Sequence, residues 1–307
     1  MSAKVAIISV FYNRADKVDA SVGSVVDQLA PGMRLILVDD GSTDGTLNAL
    51  TRYEAGNVEV VHHPNMGFTP SISRAIQESR SELIAIHGSG DLSLPGRFIK
   101  QVQVFDQNPR IGIVGCRSRT QRLNRKNVAT KDFGRPYQGN IEEKLLKRNL
   151  FNHGEVMFRR SAYDKAGGYR TFFRFAQDRD LWCRMSHHCQ AMILPDILYA
   201  RIEGESNSVS GSPEKVLLQA ALSDFAVYCH KERLEGNPDP LDRFGDAGAL
   251  VRPRSPRLAK KYMKLAKKYK KMEQEDHARE FAKAGLREHP SLPNKLRALR
   301  YTTINRK

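Results

Sequence analysis

Cysteine is scarce in this chain. Its 307 residues include four, Cys116, Cys183, Cys189 and Cys229, and no two of them form a CxxC pair. That excludes a disulfide framework or a zinc ribbon as the basis of the fold and suits a reducing compartment. Long apolar runs are also missing. No uninterrupted stretch approaches the roughly 18 residues that a membrane-spanning helix needs. The strand-like run Val5–Val10 is soon followed by Arg14, which leaves no secretory h-region. A cytoplasmic protein is therefore expected, one that meets a membrane only from outside the bilayer. Acidic residues become sparse toward the C-terminus. From Val251 to Lys307 there are 18 Lys and Arg against 5 Asp and Glu, a balance of +13, whereas the preceding 250 residues carry 32 against 29. Such a basic module suits nucleic acid, anionic lipid, a charged glycan or an acidic partner. A solvated helical face is the plainer alternative.

The composition, 40% apolar and 27% charged, provides for a sizeable core. Five β-branched or apolar runs stand out: Val5–Val10, Leu35–Val38, Val58–Val61, Leu83–Ile86 and Ile111–Val114. Helix-like stretches separate them at Asp16–Gln28, Gly45–Tyr53, Thr69–Ser79 and Pro95–Asn108, with Pro95 read as a first-turn proline. This alternation predicts βαβ units and a parallel sheet. Further on come a basic loop at Arg117–Lys131, a Gly167–Gly168 turn and a helix from Asp178 through Met185. Helical composition resumes near Ser212. Leu258, Tyr262, Leu265, Ala266 and Tyr269, then Ala278, Phe281, Ala282 and Leu286, recur at spacings of three and four and predict an amphipathic helical pair between Arg257 and Arg287.

Three polar segments fall at the ends of predicted strands, where open α/β sheets bind ligands. They are SVFYNRADKVDASVGSVVDQ (9–28), LVDDGSTDGT (37–46) and IHGSGDLSLPGRF (86–98). A fourth, GGYRTFFRFAQDRDLWCRM (167–185), opens the helix at Asp178. In order and spacing these four resemble the family 2 inverting glycosyltransferases over about residues 4–210. The resemblance implies a GT-A fold: α/β, Rossmann-like, with a mostly parallel sheet flanked by helices. Here it would be followed by a C-terminal α-helical extension. The expected domains are 1–210, with a nucleotide-binding half to about 117 and an acceptor half from about 118, and a basic helical region at 211–307.

The resemblance also implies roles. Phe11, Tyr12, Asn13 and Asp39 would form the nucleotide slot, with Asp39 accepting the uracil N–H. Asp40 is a further nucleotide candidate, although Asp and Ser before a helix often only cap it. Asn65 and Gly67 would shape a turn near the donor, and Arg74 is a candidate phosphate contact. Gly88, Ser89 and Gly90 would approach the ribose or phosphate closely. Asp91 would ligate Mn²⁺ or Mg²⁺ through hard carboxylate oxygens, in a weakened motif, because glycine stands at 88 and 90 where the family typically has aspartate. His87 and His153 are candidate sugar or phosphate contacts, and Glu203 a candidate replacement metal ligand. Asp178 matches the catalytic base, Asp180 its support, and Trp182 the core. The implied reaction is inverting transfer from a nucleotide-sugar, a UDP-sugar first, to a glycan or lipid-linked acceptor, in polysaccharide or surface glycan synthesis. The basic tail would give peripheral contact at the inner membrane face. The alternative is a GT-A protein that has lost catalysis and only binds nucleotide-sugar or glycan. Nucleic acid is the weakest partner class, since no helix-turn-helix, zinc or RRM signature accompanies the charge.

Overall fold

The computed structural model describes residues 3–124, 127–203, 212–291, 293–295, 298 and 301, with the side chains of 122–129 and 203 excepted. It divides into two compact units, Met1–Glu205 and Ser206–Lys307. The boundary expected at 210/211 and the side chain of Glu203 lie outside the described residues.

The first unit begins with β1 (Val5–Phe11), α1 (Val18–Val26), β2 (Met33–Asp40), α2 (Thr46–Thr51), β3 (Val58–His63), α3 (Phe68–Ser79) and β4 (Leu83–Ile86). All seven residues of β1 are buried, as a central parallel strand covered on both faces requires. Successive side chains of a strand point to opposite faces, and the two cores of this unit follow that parity. Ala6, Ile8 and Val10 pack on one side with Ile72, Ala75 and Ile76 of α3. Val5, Ile7 and Phe11 pack on the other with Val18 and Val22 of α1. Strands β3, β2, β1 and β4 lie side by side in that order, every pair parallel. The chain winds outward from β1 to β3 and then crosses back to β4, so the β1/β4 boundary is a topological switch point, the usual place for a ligand crevice.

Beyond β4 come β5 (Leu92–Ser93), α4 (Arg97–Gln107), β6 (Ile111–Asn124), β7 (Asn127–Phe133), β8 (Tyr137–Gly139), α5 (Glu142–Lys147), β9 (Met157–Arg159), α6 (Arg160–Lys165), α7 (Gln177–Met185) and β10 (Gln190–Glu203). The sheet continues β4-β9-β6-β10-β5. Strand β9 runs antiparallel to β4 and β6, and β10 runs parallel to β6. Two expectations are corrected here. In the stretch Arg117–Lys131 the described residues form strands, not a loop: β6 and β7 pair antiparallel from Ser118↔Phe133 to Asn124↔Asn127. Its alternating charges read as solvent, but an edge ribbon tolerates them, and Arg119 pairs across the strands with Asp132 at 2.8 Å. Pro95 does not occupy the first turn of α4, which starts at Arg97 with Gly96 as its cap.

The second unit holds α8 (Pro213–Leu234), α9 (Pro240–Phe244), α10 (Pro256–Lys271) and α11 (Glu275–Glu288). The Ser255 hydroxyl caps α10 by accepting from the Leu258 N–H at 3.1 Å. Leu258, Tyr262, Ala266 and Tyr269 pack against Ala278, Phe281 and Ala282, which is the expected amphipathic pair. No helix among the described residues is long and apolar enough to cross a membrane.

Candidate functional site

The loops after β1, β2 and β4 are locked together mainly through polar side chains. Asn13, at φ 50°, donates its backbone N–H to Ser42 Oγ at 3.0 Å and accepts from the Thr43 N–H at 2.8 Å. This fastens the loop after β1 to the loop after β2. Asp40 organises the next turn. Its carboxylate accepts from the Met66 N–H (2.9 Å), the Gly67 N–H (3.0 Å), Ser71 Oγ (3.0 Å) and Asn65 Nδ2 (3.2 Å). With both oxygens so engaged, Asp40 holds the 65–67 loop in shape, and the nucleotide contact expected of it gives way to that task. Asn65 is its partner there. Gly41 makes this approach possible: at φ +71° an added Cβ would stand 2.4 Å from the Asn65 nitrogen, a clash no flexible atom relieves.

Asp39 is fully buried beside this loop. Its Oδ2 accepts from the Ser42 N–H at 3.2 Å and meets His62 Nδ1 at 2.8 Å. Its Oδ1 is buried without a hydrogen-bond partner, an acceptor waiting for a donor. His62, which the sequence reading passed over, is half exposed and lies against it. Tyr12 is half exposed and offers a ring to the slot. Phe11 cannot. It is fully buried among Val18 and Val22, and the nucleotide contact expected of its ring is corrected. Its parity with Val5 and Ile7 on β1 was the signal.

The β4 end is built around a tyrosine from the far side of the sheet. Asp91 Oδ2 accepts from the Tyr199 hydroxyl at 2.7 Å, and Oδ1 accepts from the Ile202 N–H at 3.0 Å. Tyr199 in turn accepts from the Gly88 N–H at 3.0 Å. The Gly90 N–H donates to Ser21 Oγ at 3.0 Å. Ser89 is half-buried between them. His87 is buried and joins Ser21 and Ser93 through its two nitrogens, 3.0 Å each. Burial and the nearby Arg97 charge push its pKa down to about 3, so it is a neutral structural residue and no sugar or phosphate contact. Arg97, missed from sequence, is fully buried. It donates to the Ile86 carbonyl at 2.7 Å and to Ser93 Oγ at 2.9 Å, and lies 4.9 Å from the centre of the Tyr199 ring. Arg74 is exposed and paired with Glu78 at 2.8 Å, the solvated helix position.

A series of close contacts leads from this strand end to His153, whose imidazole feels the charge of the expected base. An added Cβ on Gly154 would stand 2.0 Å from Tyr199 Oη and 2.9 Å from the Gly88 nitrogen, so residue 154 must be glycine to sit there. Its neighbour His153 bonds Tyr169 Oη through Nε2 at 2.6 Å. Burial holds the His153 imidazole below its ordinary pKa, against an upward pull from the Asp178 charge. Asp178, half-buried in the first turn of α7, accepts from Asn149 Nδ2 at 2.8 Å. The turn is presented by Ala176 in the left-handed region, φ 59°, a conformation that costs a non-glycine residue roughly 1–2 kcal/mol. Asp180, two residues on, points elsewhere. It is buried and bridged to Arg170 and Arg184. Trp182 is fully buried in the core as expected. Asn149, Tyr169 and Tyr199 carried no sequence signal, because each is recognised only by what it touches.

Glu155 has its carboxyl pushed up to about 7 by burial, against hydrogen bonds from Ser118 and Asn152. The native state therefore binds a proton that the unfolded chain, at 4.5, releases. That stabilisation is complete below about pH 4.5 and is lost as pH rises toward 7. The 2.5-unit difference between those values is worth at most about 3 kcal/mol. Urea unfolding at pH 5 and pH 8 should thus show Glu155→Gln gaining on the parent protein by up to that amount at the higher pH. Parallel profiles would mean that Glu155 is ionised in the fold.

The residues can hold a base in a polar slot and place a carboxylate within a few side chains of it. They do not fit a resident divalent cation. Among the described side chains a single carboxylate, Asp91, stands at this strand end, both of its oxygens already accept hydrogen bonds, and positions 88 and 90 supply no side-chain ligand atom. The metal role expected of Asp91 is not supported by this donor set.

Comparison with known proteins agrees with the architecture. The family model "Glycosyl transferase family 2" matches residues 6–167. EpsE of Bacillus subtilis, which carries a provisional glycosyltransferase name, is 30% identical over 189 residues, 59% of this chain; the chain spans 66% of that relative's length. The O-antigen biosynthesis glycosyltransferase WbnJ of Escherichia coli is 29% identical over 181 residues, covering 58% of this chain and 70% of WbnJ. Among solved structures, S. aureus TarS 1-349 in complex with UDP-GlcNAc superposes with a TM-score of 0.58 at 15% identity, covering 97% of this chain and 89% of TarS 1-349. The mannosyltransferase PcManGT from Pyrobaculum calidifontis, in complex with GDP-Man and Mn2+, gives 0.57 at 18%, covering 96% and 78%. At such identities the likeness establishes the fold, GT-A.

Proposed function

Because the chain belongs to glycosyl transferase family 2, we propose that it transfers a sugar from a UDP-sugar to an acceptor hydroxyl, with inversion at the anomeric carbon. The uracil N–H would satisfy the orphaned Oδ1 of Asp39, and the Tyr12 ring would lie on the base. In the transfer, the acceptor oxygen forms a bond to the anomeric carbon as the bond from that carbon to the diphosphate oxygen breaks. The electron pair leaves on the diphosphate, and the acceptor proton passes to Asp178. The single observation that carries this reading is the buried Asp39 Oδ1, an acceptor without a partner at the carboxyl end of β2. Asn149 holds one oxygen of the Asp178 carboxylate, leaving the other for the acceptor.

The names of relatives such as WbnJ support a setting in polysaccharide or surface glycan synthesis, with a glycan or lipid-linked acceptor. The basic unit supports a cytoplasmic enzyme that touches the anionic inner membrane face. Lys260, Lys264, Lys267 and Lys271 line one exposed side of α10, opposite buried Tyr262 and Ala266, and α10 contains no acidic residue. The test is release of UDP from a panel of UDP-sugars supplied with glycan acceptors, run with the parent protein beside Asp178→Asn.

A further inference from the structure

The resemblance places carboxylates at 88 and 90 as well as 91. The structure has filled that space differently. An added Cβ at Gly88 would lie 2.6 Å from Asp91 Oδ2 and 2.8 Å from Tyr199 Oη. The tyrosine hydroxyl thus occupies the room that a side chain at 88 would take. Gly90 sits at φ +95°, where its would-be Cβ meets the Lys17 stem at 3.3 Å. Among the described residues, the one group that brings three potential metal ligands together is Glu214, His277 and Glu280, and it does not include Asp91.

Positive charge gathers where the ligands are missing. Lys17, which follows β1, packs its stem on Gly90 and pairs its ammonium with exposed Asp16 at 3.0 Å. Arg201 lies on β10 between Ala200, the register partner of Leu92, and Ile202, whose N–H holds Asp91. Arg14 lies on the loop after β1, its N–H anchored on Thr46 Oγ1 at 2.8 Å. Burial raises the Asp91 carboxyl above its ordinary range, against the Tyr199 and Ile202 hydrogen bonds and the charges of Arg201 and Arg14, which pull it down. Arg14 and Lys17 thus follow the carboxyl end of β1, and Arg201 stands next to the residue that holds Asp91 beyond β4.

Resting on the donor-site reading above, we infer that the crevice at the β1/β4 switch point binds a nucleoside diphosphate without a divalent cation. Arg14, Lys17 and Arg201 hold the diphosphate and stabilise its charge, and Asp91 positions Tyr199. Guanidinium groups suit this task, because they stay charged and donate paired hydrogen bonds to phosphate oxygens.

Calorimetric titration of UDP into the full chain tests the inference, run once in EDTA and once in Mn²⁺, with Arg14→Gln and Arg201→Gln in parallel and uridine as the phosphate-free probe. UDP should bind with the same affinity, within about twofold, in both buffers. Each arginine variant should weaken UDP about tenfold or more, the usual scale for a lost charged hydrogen bond, while leaving uridine binding and the thermal midpoint unchanged. If a variant fails to fold, the metal arm with the parent protein still decides. UDP binding that needs Mn²⁺ by tenfold or more would overturn the inference and leave the donor site standing. Unchanged UDP affinity in both folded variants would also overturn it. No binding of UDP, ADP or GDP in either buffer would remove the donor-site reading, and this inference with it.

Discussion

Asp178→Asn is expected to lose transfer by about 10²–10⁴-fold, the usual contribution of a positioned general base, while folding and UDP binding stay as they were. The substitution is nearly isosteric. The amide oxygen can still accept the 2.8 Å hydrogen bond from Asn149, and Asp178 is half-buried. What is lost is the capacity to accept a proton as the acceptor hydroxyl attacks. Rates measured at saturating donor, with affinity measured separately, distinguish this from a binding defect. A variant with near-parent turnover would remove Asp178 from the mechanism.

Asp180→Ala is expected to do the reverse and damage stability first. Asp180 is buried and bridged to Arg170 and Arg184, the latter by 2.6 and 3.0 Å contacts. Arg184 also donates to the Ala166 carbonyl, so neither guanidinium can swing to water without dismantling the turn before α7. Removing one partner of a buried ion pair leaves uncompensated charge and costs roughly 3–5 kcal/mol. Here two cations would be stranded. Denaturant unfolding should show that loss, and any transfer activity remaining at low temperature should fall with the folded fraction. An Asp180→Ala protein of parent stability would mean that the Arg170 and Arg184 bridges contribute nothing net. Two aspartates in one turn of helix would thus separate chemistry from architecture.

The first half of the sheet, β1 to β4, was legible because its signals are local. Strand runs, helix caps and carboxyl-end loops follow one another along the chain, and the observed β1 to β4 differ from the expected runs by a few residues at their ends. The parity of β1 even held the fate of Phe11, which lies on the same face as Val5 and Ile7. The rest depends on contacts distant in sequence. Tyr199 meets Asp91 across 108 residues and Asn149 meets Asp178 across 29, and neither has a spacing that a reader of one sequence can use. Asp40 looked like a ligand residue because its neighbour Asp39 does. Only the loop at 65–67 shows which of the two is already occupied. The β6–β7 ribbon was missed for another reason. Its charged residues are stabilised by cross-strand pairing at an edge, and hydrophobic periodicity does not register that.

In the proposed reaction Asp39 reads the base edge of uridine diphosphate. Calorimetry of UDP on the parent protein and on Asp39→Asn tests it most directly. Asparagine keeps an acceptor for Ser42 and His62 but replaces the orphaned oxygen with a donor or leaves it uncharged, so UDP should bind the parent protein and lose about 10–100-fold in affinity on the variant. Equal affinity in the two proteins, with folding intact, would contradict the account and move the base away from Asp39.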